Sequence, residues 1–159
     1  SPYRSVLIDF GLVKQTGTKS EKGIIVGTPS YMPPEQARPR RKKYGQIDPT
    51  SDLYSLGATF YYLLTGRPPF DHRDPRKCIK MVCEKAPIDP AELVEGLPRK
   101  VADICLKCLE KKQSDRYGSA SKLIVDLKQL ERRGRRTLQI RSYLDRWFGS
   151  REPQPRRES

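Results

Sequence analysis

Apolar residues in this chain recur mostly at three- and four-residue intervals, and strand-like alternation is almost absent after residue 31. One short β-type run, Val6 to Ile8, leads into Asp9-Phe10-Gly11, where glycine permits a sharp change of backbone direction. From Leu12 to Gly27 the chain is rich in Gly, Thr, Ser and Lys with no sustained period, which predicts a long exposed loop. Pro33-Pro34-Glu35-Gln36-Ala37 then supplies a helix start, because a first-turn proline lacks only an N–H that has no intrahelical partner. Only a short helix fits before Pro39.

Turn and capping residues gather at Asp48-Pro49-Thr50-Ser51-Asp52. Behind them Leu53 to Thr65 is apolar on most faces and stops at Gly66, the pattern of a helix at the centre of a domain. Gly66 to Phe70 predicts a turn, Pro75 to Glu84 a short helix with Ile79, Val82 and Cys83 inward, and Pro87 to Pro98 a loop. Helices follow at Arg99 to Lys111 and at Ser119 to Arg132, the second placing Ala120, Leu123, Ile124, Leu127 and Leu130 on one side. In the tail, Ile140, Tyr143, Leu144, Trp147 and Phe148 have the spacing of an amphipathic helix at about 137–148. That helix can pack on its own domain, lie on an anionic membrane surface or grip a partner. Beyond Gly149 the Pro- and Arg-rich composition predicts disorder. The organisation read from the sequence is a domain over 1–131 and a basic tail over 132–159.

The 159 residues suffice for one core, since a domain near this size buries roughly 68–70% of its unfolded surface. The net charge of +13 is partly a property of the tail, where residues 132–159 hold nine Arg against Asp145, Glu152 and Glu158. A second basic stretch, Arg38 to Lys43, is either a solvated loop or a contact for acidic substrate, lipid or nucleic acid. No aromatic platform or reading helix accompanies it, so no specific nucleic-acid partner is expected. Cys105 and Cys108 form a C-x-x-C, but with Val101, Ile104 and Leu109 they have the spacing of a buried helix face. The only histidine, His72, is remote, so core thiols are expected rather than a zinc or redox pair. With no secretory signal or long apolar stretch, a reducing cytoplasm is the expected compartment.

The motifs are weak singly and specific in order. Asp9-Phe10-Gly11, Gly27-Thr28-Pro29-Ser30-Tyr31-Met32-Pro33-Pro34-Glu35, Ser51-Asp52-Leu53-Tyr54-Ser55-Leu56-Gly57 and Ser114-Asp115-Arg116-Tyr117 succeed one another along the chain. In that order they resemble the second half of a eukaryotic-like, bacterial-type Ser/Thr protein kinase domain over residues 5–131. The resemblance implies a mainly α fold, the carboxy-terminal lobe from D-F-G onward, with a short β segment, a long activation loop and a helical core.

By this resemblance Asp9 holds the Mg²⁺ that bridges the ATP phosphates, since a hard cation prefers carboxylate oxygen. Leu12 to Met32 corresponds to the activation loop, with Thr16, Thr18 and Ser20 as candidate phosphorylation sites. Thr28 resembles the threonine that bonds the catalytic aspartate. Gly27, Thr28, Pro29, Ser30, Tyr31, Met32 and Pro33 would line the pocket beside the phosphoacceptor of a protein substrate. Pro33 departs from the family's A-P-E and leaves the glutamate in place. Glu35 and Arg116 match a buried ion pair that ties the substrate loop to the helical base. Asp52 matches an aspartate that anchors the catalytic loop, a role that reduces to helix capping where that loop is absent.

The sequence has no G-x-G-x-x-G and no V-A-I-K-like strand, and His72-Arg73-Asp74 follows D-F-G in a chain with no Asn at all. The kinase elements that grip ATP are therefore not among these residues. The expectation is a kinase fragment that is inactive and does not bind Mg-ATP tightly alone. It would tend to aggregate, or need the missing kinase half or a docking protein to cover its apolar surface. The alternative is a non-catalytic, pseudokinase-like module that binds a protein or a membrane surface.

Overall fold

The computed structural model describes residues 28–39 and 42–134. Their regular structure runs in the order 3-10 turn Pro29–Tyr31, α1 Pro34–Ala37, 3-10 turn Lys42–Tyr44, α2 Pro49–Thr65, α3 Pro75–Glu84, α4 Pro90–Leu93, α5 Arg99–Cys108, 3-10 turn Gln113–Asp115 and α6 Ala120–Gly134. The described residues contain no strand, and none of their helices is long and apolar enough to cross a membrane. The expected strand at Val6 to Ile8, the loop 12–27 and the tail helix at about 137–148 lie outside them.

Three helices open on Asp-Pro. Asp48, Asp74 and Asp89 precede Pro49, Pro75 and Pro90, and their carboxylates accept from the amides of Thr50, Arg76 and Ala91 at 2.8, 2.8 and 2.9 Å. Proline at the first position has no N–H to leave unsatisfied, and the aspartate satisfies the next one. This device corrects three expectations. Helix α2 starts at Pro49 rather than Leu53, because Asp48 and Ser51 form a reciprocal capping box. Asp52, expected to cap, is an exposed residue of the first turn. The stretch from Pro87 to Pro98 is not all loop, since Asp89 and Pro90 nucleate α4. The His72-Arg73-Asp74 triplet ends in the cap of α3, where the Asp74 amide donates to His72 Nδ1 at 2.9 Å.

The core forms where α2 crosses α5. Tyr54, Ala58 and Tyr61 of α2 are essentially inaccessible, as are Ala102, Ile104 and Cys105 of α5. The close approach needs a glycine: a Cβ at Gly57 would stand 2.4 Å from the Cβ of Cys108. All four cysteines are buried thiols. Burial first, then the neighbouring Cys108, pushes Cys105 up to about 12, and burial pushes Cys108 up to about 11. Both are protonated at neutral pH, and Cys105 Sγ donates to the Gly57 carbonyl at 3.7 Å. Helix α2 is less enclosed than its composition predicts, with Leu56 and Leu63 each 52% exposed. The stripe on α6 is also only partly covered: Leu123 is buried while Ile124 and Leu127 are exposed, because α6 packs chiefly on α5.

The residues from Glu110 to Arg116 close the structure around a buried ion pair. Arg116 Nη1 donates to Glu35 Oε1 at 2.7 Å and Nη2 to Oε2 at 2.9 Å, between side chains with no accessible surface. The other three N–H groups of the guanidinium reach the carbonyls of Glu110, Thr50 and Lys111 at 2.8, 3.3 and 3.3 Å, so every donor of the planar fork is used. Ser51 Oγ completes the carboxylate by donating to Oε1 at 2.7 Å. The Arg116 guanidinium also lies 5.0 Å from the centre of the Tyr54 ring. Beside it, the Lys111 ammonium is buried with no hydrogen-bond partner among the described residues, and sits 4.1 Å from the centre of the Phe70 ring. Burial, reinforced by Arg116 and opposed by Cys83 and Glu110, pulls Lys111 down to about 8.

Gly57→Ala is expected to lower stability, because overpacking costs about 1–3 kcal/mol and outweighs a helix-propensity gain of at most about 1 kcal/mol. A urea midpoint that is unchanged or higher would show that the two helices tolerate more separation. Glu35→Gln should cost about 3–5 kcal/mol by leaving a buried guanidinium charge uncompensated, and a loss under about 1 kcal/mol would contradict the pair's structural weight. Lys111 is charged in both folded and unfolded chains below pH about 8 and neutral in both above its ordinary value near 10.5, so its burial penalty fades as pH rises through that window. Lys111→Met should therefore stabilise the protein on the order of 1–3 kcal/mol at pH 7 and much less at pH 10. A pH-independent difference would refute this.

Candidate functional site

The segment from Thr28 to Glu35 runs from the surface into the core. Thr28 is exposed, and the following 3-10 turn is closed by the Tyr31 amide donating to the Thr28 carbonyl at 3.1 Å and the Met32 amide to the Pro29 carbonyl at 3.2 Å. Ser30 is buried, its Oγ 3.8 Å from Cys78 Sγ of α3. Met32, Pro33 and Pro34 are buried in succession, and Glu35 ends the descent at Arg116. Two consecutive prolines stiffen this approach, since each fixes its own φ and restricts the residue before it. Tyr31 stays half-buried at the edge of the core, where burial, then Tyr62 and Asp71, raise its phenol above the ordinary range.

The segment is thus held at its inner end and presented to solvent at its outer end. Its charges are spoken for: Glu35 is committed to Arg116 and Ser51, which leaves it unable to serve as a proton-transfer group or metal ligand. What the segment offers is a proline-stiffened stretch of backbone whose outer end, at Thr28, is open to solvent.

Of the residues singled out in the sequence, Thr28, Pro29, Ser30, Tyr31, Met32, Pro33, Glu35 and Arg116 come together in one connected unit. Asp52 stands apart as an exposed residue of α2. Asp9, Gly27, Thr16, Thr18 and Ser20 lie outside the described residues. No group of His, Cys, Asp and Glu side chains among the described residues is arranged to hold a metal ion, and Asp9 lies outside those residues.

Sequence reasoning missed Ser51 as the third member of the Glu35 cluster, although the capping pattern that places it was visible. It also missed Lys111, whose E-K-K surroundings resemble a solvated surface and carry no sign that the middle charge is buried.

Comparison with known proteins agrees with this arrangement. The family described as protein kinase domain matches residues 5–127. A probable serine/threonine-protein kinase PknB of Bifidobacterium longum is 34% identical over 125 residues, covering 76% of this chain and 17% of that protein. Serine/threonine-protein kinase PknB of Mycobacterium leprae is 32% identical over 124 residues, covering 76% of this chain and 19% of the relative. The DNA damage-responsive serine/threonine-protein kinase RqkA of Deinococcus radiodurans is 39% identical over 131 residues, 80% of this chain and 19% of its own length. The chain thus spans no more than 19% of the length of these three relatives. Matched by the family over most of its length and aligned with bacterial serine/threonine kinases, the chain belongs to the protein kinase domain family, among its bacterial-type serine/threonine members.

Proposed function

We propose that these residues form the substrate-docking and scaffolding part of an ATP-dependent protein serine/threonine kinase. The observation that carries this is the Thr28–Glu35 segment, anchored by a buried carboxylate–guanidinium pair while its outer end faces solvent. Within such a kinase Gly27 to Pro33 would line the polypeptide next to the acceptor hydroxyl, and Thr28 would hold the catalytic aspartate, which this sequence lacks. In the transfer the acceptor oxygen bonds to the γ-phosphorus while the bond to the bridging oxygen of ADP breaks, and the hydroxyl proton passes to that aspartate. Asp9 would hold the magnesium ion that neutralises phosphate charge. Thr16, Thr18 and Ser20 would be the loop positions where phosphorylation adds charge and orders the chain.

The glycine-rich cover, the phosphate-binding lysine and the catalytic loop would have to be supplied from outside these residues, within the same polypeptide or a partner carrying the missing half. The 159 residues alone would then show no measurable phosphotransfer and no tight Mg-ATP binding, because one carboxylate without phosphate and adenine contacts holds the nucleotide poorly. A cytoplasmic location suits a protein that needs ATP and keeps four buried cysteines free of disulfides.

The test uses the coding sequence upstream of Ser1. A polypeptide extended to include a G-x-G-x-x-G strand and an H-R-D-x-K-x-x-N loop is expected to phosphorylate Ser/Thr peptides. Asp9→Asn should lower its kcat by about 10²-fold or more, the scale on which loss of transition-state charge stabilisation is felt. Robust phosphotransfer by the 159 residues alone, or an Asp9→Asn variant of the extended protein with full activity, would overturn the proposal.

A further inference from the structure

Half of the large apolar side chains exposed among the described residues, four of eight, line one groove between α2 and α6, a concentration that marks a contact surface. One wall is the arc of α2 that carries Leu56 and Leu63, with Asp52 exposed at its N-terminal end. The floor is Phe60 of α2 and Leu130 of α6, which pack on the same cluster as Leu53, Leu123 and Ile104. The other wall is Ile124 and Leu127. Asp126 fixes which flank of α6 these two occupy. Its carboxylate accepts from Tyr117 Oη at 2.8 Å, and the Tyr117 ring centre lies 4.4 Å from the Lys107 ammonium of α5. The Asp126 flank therefore lies over α5, and Ile124 and Leu127, on the far side of Leu123, look toward α2.

We propose that this groove is filled by the chain's own tail, the amphipathic segment at about 137–148 folding back antiparallel to α6. That segment lies outside the described residues, and its fit to the groove is one of length, tether and charge. As a helix Ile140 to Phe148 spans about 12 Å, against about 10 Å from Leu56 to Leu63 and about 15 Å from Ile124 to the end of α6 at Gly134. Five residues, 135–139, separate Gly134 from Ile140, a connection short enough to join antiparallel helices. So short a tether gives the tail an effective concentration on the order of mM at the groove, which a second copy of the chain or a vesicle would have to match from bulk solution. Arg141 and Arg146 fall on the two flanks of the stripe formed by Ile140, Tyr143, Leu144, Trp147 and Phe148, within reach of Asp52, which forms no ion pair among the described residues. The inference is independent of the kinase reading: a helix brought to this groove by the missing half of the domain would have to displace the tail.

Trp147 is the chain's only tryptophan, so its fluorescence reports on the tail without a label. In the 159-residue chain Trp147 should be shielded from acrylamide quenching. The variant Leu56→Glu/Leu63→Glu should lower the ratio of docked to open tail about tenfold or more, and so restore quenching toward that of a free tryptophan amide. The control Ile88→Glu/Val125→Glu, which charges two exposed apolar positions outside the groove, should leave quenching unchanged. Circular dichroism checks folding, and Leu127→Glu alone, on the opposite wall, should lower the docked-to-open ratio about threefold or more if the double variant of α2 does not fold.

A solvent-exposed Trp147 in the unaltered chain, or shielding that survives the groove substitutions, would overturn the proposal. So would shielding that fades on dilution, which would make a second copy of the chain the partner of the tail. Shielding that appears only with phosphatidylserine vesicles would overturn it too, by assigning the tail to a membrane surface.

Discussion

The structure depends on one buried exchange of charge, the bidentate pair between Glu35 and Arg116. Burying either group alone is costly, and even a pair repays its desolvation only when the remaining lone pairs and protons find partners. Here they do. The carboxylate takes a further bond from Ser51, and the guanidinium gives its other N–H groups to three carbonyls. The result joins three separate stretches of the chain: the first turn of α1, the start of α2 and the residues from Glu110 to Arg116 that follow α5. A lysine at position 116 would carry the charge without the fork, and could not reach these acceptors in one plane.

That junction sets the character of the Thr28–Glu35 segment. Because the chain is fixed at Glu35 and stiffened by Pro33 and Pro34, the few residues back to Thr28 are presented from a rigid base. Ser30 is held against Cys78, so α3 supports the segment from the side. The α2–α5 crossing beneath it is equally constrained, since Gly57 allows a separation that any side chain would widen. Under the proposed function such stiffness would matter in the part that positions the substrate, because misplacement of an acceptor by about 1 Å can cost about 10²-fold in rate.

The apolar surface left open on α2 has a physical consequence. Leu56 and Leu63 expose half their area on a helix whose opposite face is wholly enclosed. Such a face is stable in water only at a cost that covering it removes. The charged side of the molecule is arranged differently: Arg38 is tied to Glu84, while the cations of α3 remain free of carboxylate partners among the described residues.

Much of this was legible in the residues. Helical spacing placed α2, α3, α5 and α6 within a few positions, because apolar residues at three- and four-residue intervals have no other way to face a common core. The motif order disclosed the family, since residues tied to one chemistry keep their succession along the chain. Other features were settled only by tertiary contact. Asp48 rather than Asp52 caps α2, because its reciprocal bonding with Ser51 decides between two carboxylates four positions apart. Ile124 and Leu127 remain exposed despite an inward-looking stripe, since periodicity identifies a face and not whether anything covers it. Lys111 is buried against Phe70 within a run that looks solvated, because the fold of residues 110–116 around Glu35 turns it inward. Local propensity and spacing act over a few residues and are written in the sequence; the partner of a buried charge is chosen across 81 positions, and only the folded chain brings it near.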